Sequence, residues 1–269
     1  MDESQLADIA PAPAPAPAPA TVAQLDVLAR GEPLLAIDDL VAGYGAMQVL
    51  HGVSLRVARG QSLCLIGPNG AGKSTVLHSV FGLTDITSGS IRVDGADVTR
   101  LPPSRRLQHS GIAYVQQDNS VFPDMTVEEN LWMGGWLLPT PREARERAER
   151  VFERYASLRE RRTQRAAVLS GGERRLLEIS RALIMQPQLL LVDEPSIGLE
   201  PRFIDMVFDI LRELQRVDGK TIVMVEQNAT KGLEFADVGY VLVAGRVALA
   251  DTGNALRDNP QVGRIFLGA

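Results

Sequence analysis

The sequence predicts an α/β fold with a helical insertion. Three observations carry this. Two near-continuous apolar runs, "QLLLVDE" (188–194) and "KTIVMVEQ" (220–227), read as parallel strands covered on both faces. Between them "EPRFIDMVFDILRELQRV" repeats its apolar residues at the spacing of an amphipathic helix. From about Asp118 to Val168 the texture turns from strand-like to helical.

The elements follow in order along the chain. Residues 10–20 read "APAPAPAPAPA", an alternation that supports neither helix nor sheet ladder and favours extended polyproline II. Residues 1–33 are therefore expected to form a disordered or semi-rigid tether, with order beginning near Leu34. "LLAIDDLVAGY" and "GVSLRVARGQSLCLIG" are strand-like and broken by glycine, and "GSIRVDGADVT" predicts a hairpin around Asp94-Gly95. "GIAYVQQ" is another short strand. In the insertion, "TVEENLWMGGWLL" and "PREARERAERVFERYASLRERRTQR" predict helices, the second starting at Pro141 and presenting Arg and Glu on a solvated face. Strand character returns at "VGYVLVAGRVALA".

Composition bounds the function classes. The chain has 269 residues, 45% hydrophobic and 23% charged, with a net charge of −5, enough for a sizeable core and poorly suited to gripping nucleic acid through its overall field. Its single cysteine, Cys64, excludes an internal disulfide, and its apolar surroundings predict a core position. No apolar run reaches the roughly 18 residues of a membrane span, and the acidic start "MDESQLADIA" lacks an export pattern. A cytoplasmic chain that reaches a membrane only through partners is expected.

The most specific motif is "GPNGAGKST", Gly67 to Thr75, directly after an apolar strand. It fits G-x-x-x-x-G-K-[ST]. Glycines let backbone N–H groups wrap phosphate oxygens, and a helix beginning near Gly72 aims its positive dipole end at them. Thus Gly67, Pro68, Asn69, Gly70, Ala71, Gly72, Lys73, Ser74 and Thr75 are expected to bind nucleotide. Lys73 neutralises the β- and γ-phosphates, and Ser74 is placed to ligate Mg²⁺. A second strand, "LLLVDE", delivers Asp193 and Glu194 at its tip. Asp193 is expected beside Ser74 in the metal shell, and Glu194, one residue on, is positioned to act on an attacking water.

A second glycine-rich helix start, "LSGGE", follows about a hundred residues after the first. Ser170 and Glu173 fit a capping box, and Leu176, Ile179 and Leu183 continue at helical spacing, so a well-capped core helix accounts for much of it. A cap, however, does not need two glycines. Gly171 and Gly172 bare backbone donors to an anion, and with no lysine following, the site makes sense as half of a clamp completed by another molecule.

In this order, GPNGAGKST, LSGGE and LLLVDE resemble the ABC ATPases over essentially Leu34 to the C-terminus. The resemblance implies a phosphate-loop core with a mostly parallel sheet, flanking helices and antiparallel N-terminal strands, plus a helical subdomain at about 118–168. It also implies two such domains, head to tail, each ATP lying between one chain's GPNGAGKST and the other's LSGGE, so that Ser170, Gly171, Gly172 and Glu173 serve the partner's nucleotide. Tyr44 matches the aromatic that stacks on adenine. Gln117, rather than Gln116, matches the glutamine that reaches Mg²⁺ and links the helical region to the core. "SIGLE", Ser196 to Glu200, matches the segment that crosses to the partner, with Glu200 where the family usually has Asp. Gln227 stands where the family usually has a histidine contacting the γ-phosphate. It can donate an amide hydrogen bond but carries no charge. His51, His78 and His109 lie elsewhere and are given no role.

"EPSIGLEP" and "VEQNA" are most similar to the ATP-binding subunits of branched-chain amino-acid importers of LivF type, a pattern shared with importers of urea and short amides. The resemblance implies a second ATP-binding subunit, two membrane permeases and, indirectly, a periplasmic substrate-binding protein. Trp132 and Trp136 are candidates for the permease-facing surface. A non-transport ABC ATPase is a further alternative, although no coiled coil of the length repair members use is present and the chain holds one such domain.

Overall fold

A computed structural model describes residues 22–117 and 120–267. The Pro/Ala run lies outside them. In chain order the elements are α1 (Val22–Leu28), β1 (Pro33–Tyr44), β2 (Met47–Ala58), β3 (Ser62–Ile66), α2 (Lys73–Phe81), β4 (Asp85–Val93), β5 (Ala96–Asp97), α3 (Pro103–Ser110) and β6 (Ile112–Val115). The helical region follows with α4 (Val127–Gly134), α5 (Pro141–Arg154) and α6 (Ala156–Glu160). The chain then returns to the core through α7 (Gly171–Leu183), β7 (Leu189–Asp193), α8 (Pro201–Arg216), β8 (Thr221–Val225), α9 (Ala229–Phe235), β9 (Val238–Val243), β10 (Arg246–Thr252), α10 (Gly253–Arg257) and α11 (Pro260–Leu267).

Two sheets form. The first is antiparallel, in the order β2-β1-β4-β5. The second runs β10-β9-β3-β8-β7-β6, parallel from β9 to β6, with β10 antiparallel at one edge. The apolar runs are its centre: β3, β7 and β8 are buried at every residue. Alternate residues feed two cores. Cys64, Leu190, Val192, Ile222 and Met224 face the side of α7 and α8. Leu63, Leu65, Leu189, Leu191, Val223 and Val225 face α2 and the antiparallel sheet. This two-sided burial is why these strands lack polar alternation. Cys64 is a fully buried core residue, and burial holds its thiol above the ordinary range.

Local signals act where the sequence put them. Asp94 and Gly95 both take positive φ, 52° and 75°, the turn expected between β4 and β5. Thr140 caps α5 at Pro141, accepting from the Glu143 amide.

One expectation is corrected. Residues 22–33 do not belong to a structureless extension, because α1 occupies Val22–Leu28. Leu25 is buried to 1% exposure in the core under β1 and β2, and Asp26 pairs with the buried Arg56 guanidinium at 3.3 Å. Tertiary burial, not helix propensity, orders this short segment.

Candidate nucleotide site

β3 ends at Ile66 and the chain turns at Gly67, whose φ is 149°. A Cβ there would lie 2.1 Å from the Leu242 carbonyl oxygen of β9, so only glycine fits. The loop is braced from the β9–β10 turn, where the Gly245 amide donates to the Ala71 carbonyl at 3.0 Å. Gly72 caps α2 with no side chain, leaving the helix start open. Together with Asn69, Gly70, Thr75 and Glu194 it lines a depression of about 210 Å³.

The predicted chemical groups converge here. Lys73 Nζ donates to the carbonyls of Gly67 (2.9 Å) and Pro68 (3.0 Å), and burial pulls its ammonium below the ordinary lysine range, against the opposing pull of Glu194 and Asp193. Ser74 Oγ donates to Asp193 Oδ1 at 3.1 Å. Gln117 Nε2 donates to Glu194 Oε2 at 2.9 Å. Both carboxyls sit above the ordinary range. For Asp193 the cause is burial, with the hydrogen bonds from Tyr114 and Ser74 opposing it. For Glu194 it is burial and then the Asp193 charge, with Lys73 opposing.

Among the described residues no three acidic, histidine or cysteine side chains converge to hold a metal by themselves. The Ser74 hydroxyl, the Gln117 amide and Asp193 are nevertheless hard oxygen donors, the kind a small divalent cation takes when phosphate oxygens complete its shell.

Sequence reasoning missed two side chains at this site, Tyr114 and His78. Tyr114, on β6, donates its hydroxyl to Asp193 Oδ2 at 2.9 Å. Tyr44, at the end of β1, is 39% exposed, and its hydroxyl is hydrogen-bonded to His78 Nδ1. The His78 ring meets the rings of Tyr44 and Tyr114 edge-on, at centroid distances of 6.1 and 5.7 Å. His78, set aside on sequence, thus links Tyr44 to the Tyr114–Asp193 pair. No sequence signal marks these contacts, which span 34 and 79 residues.

The second helix start lies apart from the first. Gly171 borders a different depression, of about 380 Å³, with Gln117, Arg175, Pro195 and Leu199. The capping box is complete: the Glu173 amide donates to Ser170 Oγ at 3.3 Å, and the Ser170 amide donates to Glu173 Oε2 at 2.9 Å. The two glycines differ. Gly171 is exposed, whereas Gly172 is buried, and a Cβ on it would meet the Phe203 ring at 2.2 Å. Packing against α8 therefore gives Gly172 a reason of its own.

Gln227 is exposed just past β8. Its neighbour Glu226 is 1% exposed and accepts from Ser196 Oγ (2.8 Å) and the Asn228 amide (3.0 Å). Glu200 occupies the cap position of α8 but makes no cap bond, pairing with Arg202 at 3.1 Å instead. Its side chain is one methylene longer than the aspartate that favours a cap position.

A family model described as "ABC transporter" matches residues 50–197. The chain belongs to the ABC transporter family. It is an ATP-binding cassette, a nucleotide-binding domain of ATPases coupled to transport. The cassette is 45% identical to the high-affinity branched-chain amino acid transport ATP-binding protein BraG of Pseudomonas aeruginosa, over 87% of this chain and all of that protein. It is 37% identical to a probable branched-chain amino acid transport ATP-binding protein, LivF, of Archaeoglobus fulgidus, over 85% of this chain and 96% of that one. It superimposes on the ADP conformation of an ATP-binding cassette from an ABC transporter with a TM-score of 0.78 at 28% identity, covering 88% of this chain and all of the other. Among the described residues, no helix of this cassette is long and apolar enough to cross a membrane.

Proposed function

We propose that this cassette binds and hydrolyses ATP with Mg²⁺ to drive import of branched-chain amino acids. One observation carries the reading: two glycine helix starts, one with a lysine and two acids and one without, open onto separate depressions of a single chain. Each is half a site, and a head-to-tail partner, a second ATP-binding subunit or a second copy, completes both.

Within this reading Tyr44 stacks on adenine, and the loop amides of Gly67 to Thr75 with Lys73 hold the phosphates. Ser74 and Gln117 hold Mg²⁺ with Asp193 supporting them. The ion supplies neutralisation of developing phosphate charge. Glu194 orients the attacking water and takes its proton, which its raised carboxyl favours at neutral pH. Gln227 donates an uncharged hydrogen bond to the γ-phosphate. Ser170 to Glu173 serve the nucleotide of the facing chain. The cassette works on the cytoplasmic face of the cell membrane, held by two permeases, with a periplasmic binding protein delivering substrate. The names of BraG and LivF support the substrate class.

An affinity-tagged full chain extracted from detergent-solubilised membranes is expected to bring down a second ATP-binding subunit and two permeases. Cells lacking the chain are expected to lose uptake of labelled leucine. Ribosomal proteins or DNA in the pull-down refute a transport role. Loss of urea or short-amide uptake with leucine uptake intact refutes the substrate.

A further inference from the structure

The carboxylate that faces the water sits on a strained turn. Glu194 has φ 42°, in the left-handed region that L side chains rarely adopt. Such a residue persists only where its surroundings over-determine it. Its amide donates to the Val225 carbonyl at 2.9 Å, which fixes one side of the turn. The three carbonyls of the turn all accept from one side chain, Arg175 on α7. Nη2 donates to Asp193 O (3.0 Å) and Glu194 O (3.2 Å), and Nε donates to Pro195 O (3.3 Å).

The same guanidinium reaches two further elements. Nη1 donates to Gln116 O and to Glu178 Oε2, both at 2.8 Å, and Glu178 Oε1 accepts from the Ser120 amide at 3.0 Å. The side chains of Arg175 and Glu178 are 6% and 4% exposed. A planar fork of five N–H donors can bind four carbonyls and a carboxylate at once, whereas an ammonium with three donors on a flexible stem cannot. Arg175 also lies one helical turn beyond Gly171, so a shift of the α7 start moves the guanidinium with it. Gln117, next to the gripped Gln116 carbonyl, touches Glu194 Oε2.

We infer that Arg175 is a positioning residue that couples the two nucleotide half-sites of one chain: engagement of a phosphate at Ser170–Gly172 sets the backbone that aims Glu194 at the other nucleotide. The inference rests on the two-chain reading of the site. The hydrogen bonds of Arg175 go to Gln116, Glu178 and the turn after β7, so its loss acts on turnover and cooperativity rather than on nucleotide capture.

The test uses the full chain in its ATP-hydrolysing assembly, comparing Arg175→Lys, Glu178→Gln and Gly171→Asp with wild type. Measured are kcat, KM, the Hill coefficient for ATP, the Kd of a fluorescent ATP analogue and the melting temperature. Arg175→Lys is expected to lower kcat on the order of 10- to 100-fold, the scale of a small misplacement of a catalytic group. Its Hill coefficient falls toward one, with KM and Kd within about threefold of wild type, since uniform binding is untouched. Should Arg175→Lys not fold, Glu178→Gln is the readout: its amide oxygen still accepts from Ser120, and a smaller loss of the same pattern is expected. A folded Arg175→Lys, or failing that Glu178→Gln, with wild-type kcat overturns the inference. A wild-type Hill coefficient of one, or a loss of kcat matched by an equal loss of affinity, does the same. Gly171→Asp places an acid where the helix dipole tolerates it but a phosphate does not, and is expected to abolish turnover. Normal turnover in that variant overturns the two-chain reading, and the inference with it. Abolished turnover there beside an unaffected Arg175→Lys overturns the inference alone.

Discussion

Glu194→Gln separates the chemistry of the site from its binding. Glutamine keeps the size of the side chain, and its amide oxygen can still accept from Gln117 Nε2, which donates to Glu194 at 2.9 Å. What it loses is basicity. Removing a positioned base slows hydrolysis by at least ~100-fold, a barrier increase of about 2.7 kcal/mol. ATP binding is expected to persist, because the proposed mechanism gives phosphate capture to the loop and Lys73. The variant also changes stability, with a sign that the structure fixes. Burial and the neighbouring Asp193 raise the Glu194 carboxyl in the folded chain. A raised acid favours folding where it is protonated, and that contribution is lost as pH rises through the folded-state value. At pH 7.5 the ionised Glu194 therefore costs stability, which glutamine recovers. Near pH 4 and below the two proteins converge. The recovery is read as a melting temperature above wild type at pH 7.5, a gap that closes at pH 4. Phosphate release, binding of a fluorescent ATP analogue and melting curves at both pH values make the assay. Normal turnover eliminates Glu194 as the base. A melting gain that persists unchanged at acid pH refutes the electrostatic account.

Lys73→Ala is expected to weaken nucleotide binding at least ~10-fold in a direct titration, about 1.4 kcal/mol, since no other side chain of the loop carries positive charge. Tyr114→Phe removes a donor from a buried carboxylate and should cost about 1.5–3 kcal/mol in urea unfolding at pH 7. That cost shrinks as acid protonates Asp193, and an equal cost at pH 4 contradicts the pairing. Gln227→Ala is expected to lower kcat on the order of 10-fold with little change in ATP Kd, the worth of one uncharged hydrogen bond. Unchanged hydrolysis in that variant removes Gln227 from the mechanism.

What could be read from the sequence was local. β3, β7 and β8 announced themselves because two-sided burial leaves an uninterrupted apolar run. The Asp94-Gly95 turn and the Ser170–Glu173 cap are each settled within four residues. The phosphate loop needs its residue types for reasons of backbone geometry, which a motif captures. What stayed hidden was set by contacts across the fold. α1 is held by the burial of Leu25 and the Asp26–Arg56 pair, contacts no local pattern announces. Tyr114 meets Asp193 and His78 meets Tyr44 only because sheet and helix bring them together. A packing reason for Gly172, the Phe203 ring lying where a Cβ would be, is visible only in the fold. Arg175 looks like one more charge in an Arg-rich run, and only the turn after β7 reveals what it grips.

The ammonium of Lys73 already has two oxygen neighbours, the carbonyls of Gly67 and Pro68. In the proposed binding mode an arriving triphosphate exchanges dipolar partners for anionic ones instead of supplying bonds that were missing. The net gain of that exchange is chiefly coulombic. Affinity should accordingly slacken as added salt shields that attraction.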